Sequence, residues 1–394
     1  MKPLPKKTNN CLEFNDFLNR FVATYNDSCV TGIGADHAFF SYDLKTRNLM
    51  PISKQPFGRF WNSDVSCYTL ENPGGVVLKV LDYGAIIQSL TVPGKSSHAD
   101  IILGFDSLYE YLKGHPFFGA IAGRVANRIP DGIFTIDAQT YQLGVNAPFD
   151  NHLHGGFRGF DKYVWHSETF EENGSMGIRL HRISPDGEEW YPGTLDTTII
   201  YRLSQGNVVS FEVTATSDKP TIVNIVQHSY FNMAGHDSGD VTNQELTIFG
   251  DQVTPTDERL CPTGAIKSVD GTPYDLRKAV RLGEAFEMNQ GVFDINYVLP
   301  GSGEIVPCAK LRDPLSGRTM HMATNQPGIQ FYNGHKIFDQ DQTGKGNYRY
   351  PKWAGICLET QTFPNAVNHD HFPNMILRPG EVYSHKTTYG FTIE

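Results

Sequence analysis

Nowhere in this chain does an apolar run reach the roughly 18 residues that a membrane-crossing helix needs, and no apolar stretch of about 7–15 residues follows the basic start Met1-Lys-Pro-Leu-Pro-Lys-Lys7. The expectation is a soluble, unsecreted, cytoplasmic protein with no membrane partner. Cysteine is scarce and scattered. Cys11, Cys29, Cys67, Cys261, Cys308 and Cys357 stand singly with no Cys-x-x-Cys spacing, so neither a zinc cluster nor a small disulfide framework is indicated, although an even count leaves pairing open. There is no basic stripe and no acidic tail: the net charge of −10 is spread along the chain, which argues against nucleic acid and anionic surfaces and in favour of a neutral ligand. Internal repeats and low-complexity tracts are absent.

Helical periodicity is equally scarce. Only residues 11–26, where Phe14, Phe17, Leu18, Phe21, Val22 and Tyr25 recur at spacings of three and four, outline one apolar helix face. Such a helix either lies on its own chain or contacts a partner or second subunit. What abounds is turn and strand material: 38 Gly, 23 Pro, 18 Tyr and 25 Phe in 394 residues. Short β-branched and aromatic runs bounded by Gly, Pro, Asn and Asp are expected as strands over 76–83, 86–92, 132–136, 178–183, 197–203, 208–215, 221–232, 245–249 and 355–361. The fold class is therefore all-β, a large antiparallel sandwich. The expected organisation is an N-terminal extension, 1–59, irregular over 27–57, and one main domain, 60–394, with loops over 250–285 forming a rim.

Four polar clusters interrupt this strand-like sequence. In His228-Ser-Tyr-Phe-Asn232, strand parity puts Asn224, His228, Tyr230 and Asn232 on one face. A solitary buried histidine is usually a satisfied core residue; a Tyr and Asn on its face favour a site. In Leu358-Glu-Thr-Gln361, Cys357, Glu359 and Gln361 share a face, and a carboxylate among apolar neighbours is costly to bury unless partnered. Glu359 is then either an edge residue or a base, ionised at an ordinary pKa of about 4.3, with His228 near 6.5 as the complementary acid. In Asn151-His-Leu-His-Gly-Gly156 the twin glycines imply φ > 0 or close backbone approach, holding an imidazole rigidly. A metal site from His152, His154 and His228 is disfavoured, because Arg158 stands where a His-x-His site wants a carboxylate a few residues further on. In Gly123-Arg-Val-Ala-Asn-Arg-Ile129 the arginines are either surface charges or, for Arg128 beside Asn127, a donor pair for sugar hydroxyls or a developing oxyanion.

Together, and with Ser184-Pro-Asp-Gly-Glu-Glu189, Phe293-Asp294 and Gln326-Pro-Gly-Ile-Gln-Phe331 between them, these motifs closely resemble the aldose 1-epimerase (galactose mutarotase) family from about residue 65 onward. The resemblance implies a β-sandwich of the mutarotase type that interconverts α and β anomers of free aldohexoses such as galactose and glucose, with no cofactor and no metal. It implies Glu359 as the base at the C1 hydroxyl and His228 as the acid at the ring oxygen. It further implies sugar contacts from His154, Asn127, Arg128, Tyr230, Asp294 and Gln330. Asp294 alone reads equally as a turn residue. The sequence departs from the family pattern in its N-terminal extension, in Trp190 where glycine is common, in Asn365 for an aspartate, and in His152 for a small polar residue. The last three bear on sugar preference, whereas the resemblance says nothing of the role of the extension. Rival readings are a hexose-6-phosphate 1-epimerase, which would want a further basic cluster, a non-catalytic sugar-binding module, and a metal-dependent β-fold enzyme. The preferred aldose and the oligomeric state, monomer or dimer, stay open.

Overall fold

The computed structural model describes residues 52–301, 303–337 and 343–394. The helix expected over 11–26, and the extension up to residue 51, lie outside the described residues. Strands dominate, and the ladders are antiparallel, in agreement with the all-β expectation. A nine-stranded sheet runs in the order His166–Glu172, Ser175–Ser184, Leu195–Ser204, Val208–Ser217, Tyr383–Ile393, Arg318–Thr324, Val306–Arg312, Glu245–Ile248 and Val280–Arg281. A six-stranded sheet runs Tyr230–Phe231, Ile356–Gln361, Gly328–Tyr332, Asp294–Val298, Gln252–Thr254 and Lys267–Ser268.

Alternation explains how the two sheets share a core. Ile295, Ile329, Phe331, Ile356 and Leu358 from the smaller sheet meet Phe211, Val213, Met320, Met322 and Tyr389 from the larger in one buried cluster. Each such side chain contributes about 1.5–3 kcal/mol relative to exposure. The intervening residues of the smaller sheet, Asp294, Asn296, Gln330, Glu359 and Gln361, face the other way. That opposite face carries the site.

Two expectations need correction. The folded unit does not start near residue 60: Ile52–Phe60 is a strand, paired with Ser63–Glu71 at the edge of a five-stranded sheet. Pro56 and Gly58 flank a register break, and Lys54 and Arg59 are exposed, so this strand has the composition of a protected edge and does not alternate cleanly. The strand expected over 221–232 is also not continuous. Thr221–Ile222 pairs with Ile376–Leu377, Val226–His228 with Ala120–Ala122, and Tyr230–Phe231 with the start of Ile356–Gln361. The Ser229 amide is taken by the Gln227 side chain at 3.0 Å, which breaks the ladder between the last two pieces.

Candidate active site

The strand Ile356–Gln361 is the foundation of the site. Its register sets Gln330 opposite Glu359, and Cys357 opposite Tyr230. Continuing that pairing brings His228 over Glu359, and their Nε2 and Oε1 atoms lie 3.6 Å apart. Both side chains are buried, with only 6% and 3% of their surface exposed. Burial lowers the His228 pKa to about 4, against smaller opposing effects of its own carbonyl and of Asp294. Burial, reinforced by the Asp294 charge and opposed by Arg128, raises the Glu359 carboxyl well above its ordinary value. Against the expected ionised Glu359 beside a half-charged His228, burial shifts both groups toward their neutral forms, because desolvation disfavours both charges.

The loop bearing His154 is fixed by the glycines that follow it. Gly155 and Gly156 have φ of 89° and 101°, and a Cβ on Gly155 would sit 1.8 Å from the Gly123 carbonyl oxygen. This loop thus packs directly on the Gly-Arg-Val-Ala-Asn-Arg segment, as the twin glycines suggested. Glu189 holds it from the other side, accepting the Phe157 and Arg158 amides at 2.8 and 2.9 Å. The Asn127 amide donates to His154 Nδ1 at 3.3 Å, so the imidazole, whose pKa burial pushes well below 6.5, carries its proton on Nε2. The His154 and His228 rings stand 5.2 Å apart, nearly perpendicular. Asn127 and His154 both have φ in the left-handed region, at 61° and 51°, unusual for non-glycine residues and held here by the packed loop.

A polar chain completes the floor. Arg128 lies 3.4 Å from one Asp294 oxygen, and Gln330 Nε2 donates to the other at 2.7 Å. Gln361 Nε2 in turn donates to Gln330 Oε1 at 3.1 Å and to Asn296 Oδ1 at 3.0 Å. Two buried acceptors in this group, Glu359 Oε2 and Gln361 Oε1, have no hydrogen-bond partner. A polyhydroxylated ligand would supply one. Tyr230 is buried among Phe118, Tyr332 and His228, with its hydroxyl bonded to Cys357.

All eight candidate residues therefore converge except that Tyr230 backs His228 and offers the cleft little. Asn224 and Asn232, expected on the His228 face, are structural: Asn224 brackets the Thr362 backbone, and Asn232 bonds Ala354 O and the Gln244 side chain. Arg124 is structural too, its guanidinium holding the carbonyls of Pro192 and Gly193. His152 spends both nitrogens on Gly144 O and the Tyr191 hydroxyl, which leaves no lone pair for a metal shared with His228. Trp190 is exposed with φ 68°, and Asn365 has φ 59°, so the former occupies a backbone geometry that suits the glycine common there in the family. Missed were Gln361 and Asn296 as partners of Gln330, and Phe117, whose ring lies 4.6 Å from that of His154 and 5.7 Å from that of His228. Gln361 was visible by parity with Glu359; Phe117, in a loop at φ 61°, left no periodic signal.

Comparison with known proteins bears directly on this arrangement. The family model for aldose 1-epimerase matches residues 66–390. The chain belongs to the aldose 1-epimerase family. It is similar to the galactose mutarotase of Bos taurus, 45% identical over 317 residues that cover 80% of this chain and 90% of the relative. It is also similar to the aldose 1-epimerase of Escherichia coli, 35% identical over 336 residues covering 83% and 95%. Among solved structures, a galactose 1-epimerase from Lactobacillus acidophilus superposes with a TM-score of 0.76 at 28% identity, covering 87% of this chain and 99% of that one. An aldose epimerase homologue from C. elegans gives 0.75 at 28% identity, covering 82% and 97%.

Proposed function

We propose that this family member is an aldose 1-epimerase, an isomerase that interconverts the α and β anomers of free aldohexoses of the galactose and glucose type. The observation that carries this reading is the buried His228–Glu359 pair, 3.6 Å apart, in a chain that resembles galactose mutarotases over most of its length. Glu359 takes the proton from the C1 hydroxyl as the C1 carbonyl forms, the C1–O5 bond breaks, and His228 gives a proton to O5. Rotation about C1–C2 turns the aldehyde, and the reverse steps close the ring on its other face. No leaving group departs, so no covalent nucleophile is required.

The proton count of the pair suits this cycle. Ring opening converts a charged pair, Glu⁻ and HisH⁺, into a neutral one, and the neutral form is the one burial favours. Burial thus favours the open-chain stage over the charged pair beside the closed ring, and the cost of forming that charged pair is part of the barrier. His154, donating from Nε2, and the Arg128–Asp294–Gln330 chain are the hydroxyl-binding groups of this proposal, with Asn127 holding His154. A phosphorylated hexose is less well served: Arg128 is engaged with Asp294, and nearby Lys162 with Asp161.

The test is polarimetry of freshly dissolved α-D-galactose and α-D-glucose with the full chain, Glu359→Gln and His228→Asn. Acceleration to the same final rotation, lost in both variants, is expected. No acceleration by a folded wild-type protein would overturn the reading.

A further inference from the structure

Cys357 has no part in the proton transfer just described, yet its thiol stands between the Tyr230 hydroxyl and His228, with Sγ 3.5 Å from His228 Nδ1. We infer that His228, Cys357 and Glu359 form a binding site for a thiophilic divalent cation, Zn²⁺ above all, whose occupancy switches turnover off; the inhibitory half of this inference rests on the function proposed above.

The three ligand atoms lie within 4.8 Å of one another. Two come from positions 357 and 359, on one face of a single strand, and the third from the segment paired with it. The separation of Sγ and Nδ1 is already that of a tetrahedral site, since metal–sulfur and metal–nitrogen bonds of about 2.3 and 2.0–2.1 Å subtend roughly 3.5 Å. Glu359 must close the remaining gap from the Nε2 side of the ring, where its Oε1 lies 3.6 Å away, and its Oε2 has no hydrogen bond to break.

Charge favours the same occupant. On binding, the thiol loses its proton to solvent and a metal–sulfur bond replaces S–H; thiolate and carboxylate then cancel the two charges of the cation, and neutral imidazole completes the set. A neutral complex is what a site this deeply buried tolerates, with His228, Cys357 and Glu359 at 5%, 0% and 3% exposure. A sulfur and nitrogen donor set rejects Mg²⁺ and Ca²⁺, which take oxygen ligands. A bound cation occupies the carboxylate and the imidazole lone pair, so neither can move a proton, and sugar and cation exclude each other.

The test uses the full chain after chelator treatment, titrated with Co²⁺ as a spectroscopic stand-in and, in the polarimetric assay, with Zn²⁺ or Mg²⁺. A thiolate-to-cobalt charge-transfer band is expected in the wild type and not in Cys357→Ser, with Cys357→Ala as the alternative should the serine variant fail to fold. Zn²⁺ should slow mutarotation reversibly, EDTA restoring it, Mg²⁺ having no effect and galactose raising the Zn²⁺ needed. Relative to its own metal-free rate, the Cys357 variant should need at least tenfold more Zn²⁺. Absence of the cobalt band, or equal Zn²⁺ sensitivity in wild type and variant, would overturn the inference. A band in a protein without turnover would keep the cation site and overturn the functional reading instead.

Discussion

Behind Glu359 lies another buried histidine, one whose protonation burial opposes, and replacing it gives a quantitative test of how the site strand is held. His385 Nδ1 is 2.9 Å from the Ile225 carbonyl oxygen, so it carries the proton, and Nε2 accepts from the Thr360 hydroxyl at 2.8 Å. One imidazole thereby ties the strand of Glu359 to the segment of His228, across the interface of the two sheets. Burial lowers its pKa from 6.5 to about 4. The unfolded chain therefore binds a proton that the folded one refuses over that window, and this contribution to stability is lost as pH falls from about 6.5 towards 4. At pH 5 the linkage penalty is about 2 kcal/mol, and at pH 7 it is nearly nil. His385→Gln removes the titration and, by leaving one buried partner unbonded, costs about 1–3 kcal/mol at pH 7. Urea denaturation should show that deficit at pH 7 and find it reduced by about 2 kcal/mol at pH 5, close to or beyond parity. A deficit equal at both pH values would refute the buried, neutral assignment. Loss of turnover at pH 7 in a variant still folded would add that the tie positions the pair.

The remaining expectations concern the cleft itself. Glu359→Gln should lower turnover by about 10²–10⁴-fold, while its melting temperature at pH 8 equals or exceeds wild type, because the buried carboxyl resists the ionisation that the unfolded chain allows above its ordinary pKa; a clear drop in melting temperature would contradict that account. The acid limb of kcat/KM should lie near pH 4, where His228 gains a second proton for the pair and nothing is left to accept one from the C1 hydroxyl, with circular dichroism confirming the fold at each pH; a limb at 6–7 would mean that His228 is not desolvated. Arg128→Met removes the counter-charge of Asp294 and, on the proposed function, a charged donor to the sugar, so a loss of about 10–100-fold in kcat/KM is expected from a charge-assisted bond of about 1.5–3 kcal/mol; an unchanged kcat/KM would remove Arg128 from the binding set.

Where a polar residue belongs to one uninterrupted strand, the sequence was enough to orient it. Cys357, Glu359 and Gln361 do share a face of Ile356–Gln361, and Gly155 and Gly156 do mark a close approach of backbones. Parity failed over 221–232, because the chain there has three successive partners and each change resets the alternation; Asn224 and Asn232 consequently left the face of His228. The strand Tyr383–Ile393, central in the larger sheet, went unread for a related reason. Its inward His385 and Thr387 look like loop residues until Thr324, Thr360 and Ile225 O are there to bond them.

Protonation was the least legible property, and for a definite physical reason. The pKa shifts of His228 and Glu359 arise from desolvation by residues of several separate segments; Tyr230 belongs to the His228 motif, but Phe117 and the floor beneath Gln330 lie outside the two motifs that nominated the pair. A motif supplies the groups that exchange a proton, but only the surrounding packing decides which of them holds it at rest. For this site that decision matters to the proposed mechanism: burial disfavours both charges, so forming Glu⁻ and HisH⁺ beside a cyclic sugar costs energy, and Asp294 and Arg128, which reinforce and oppose the shift of Glu359, bear on that cost.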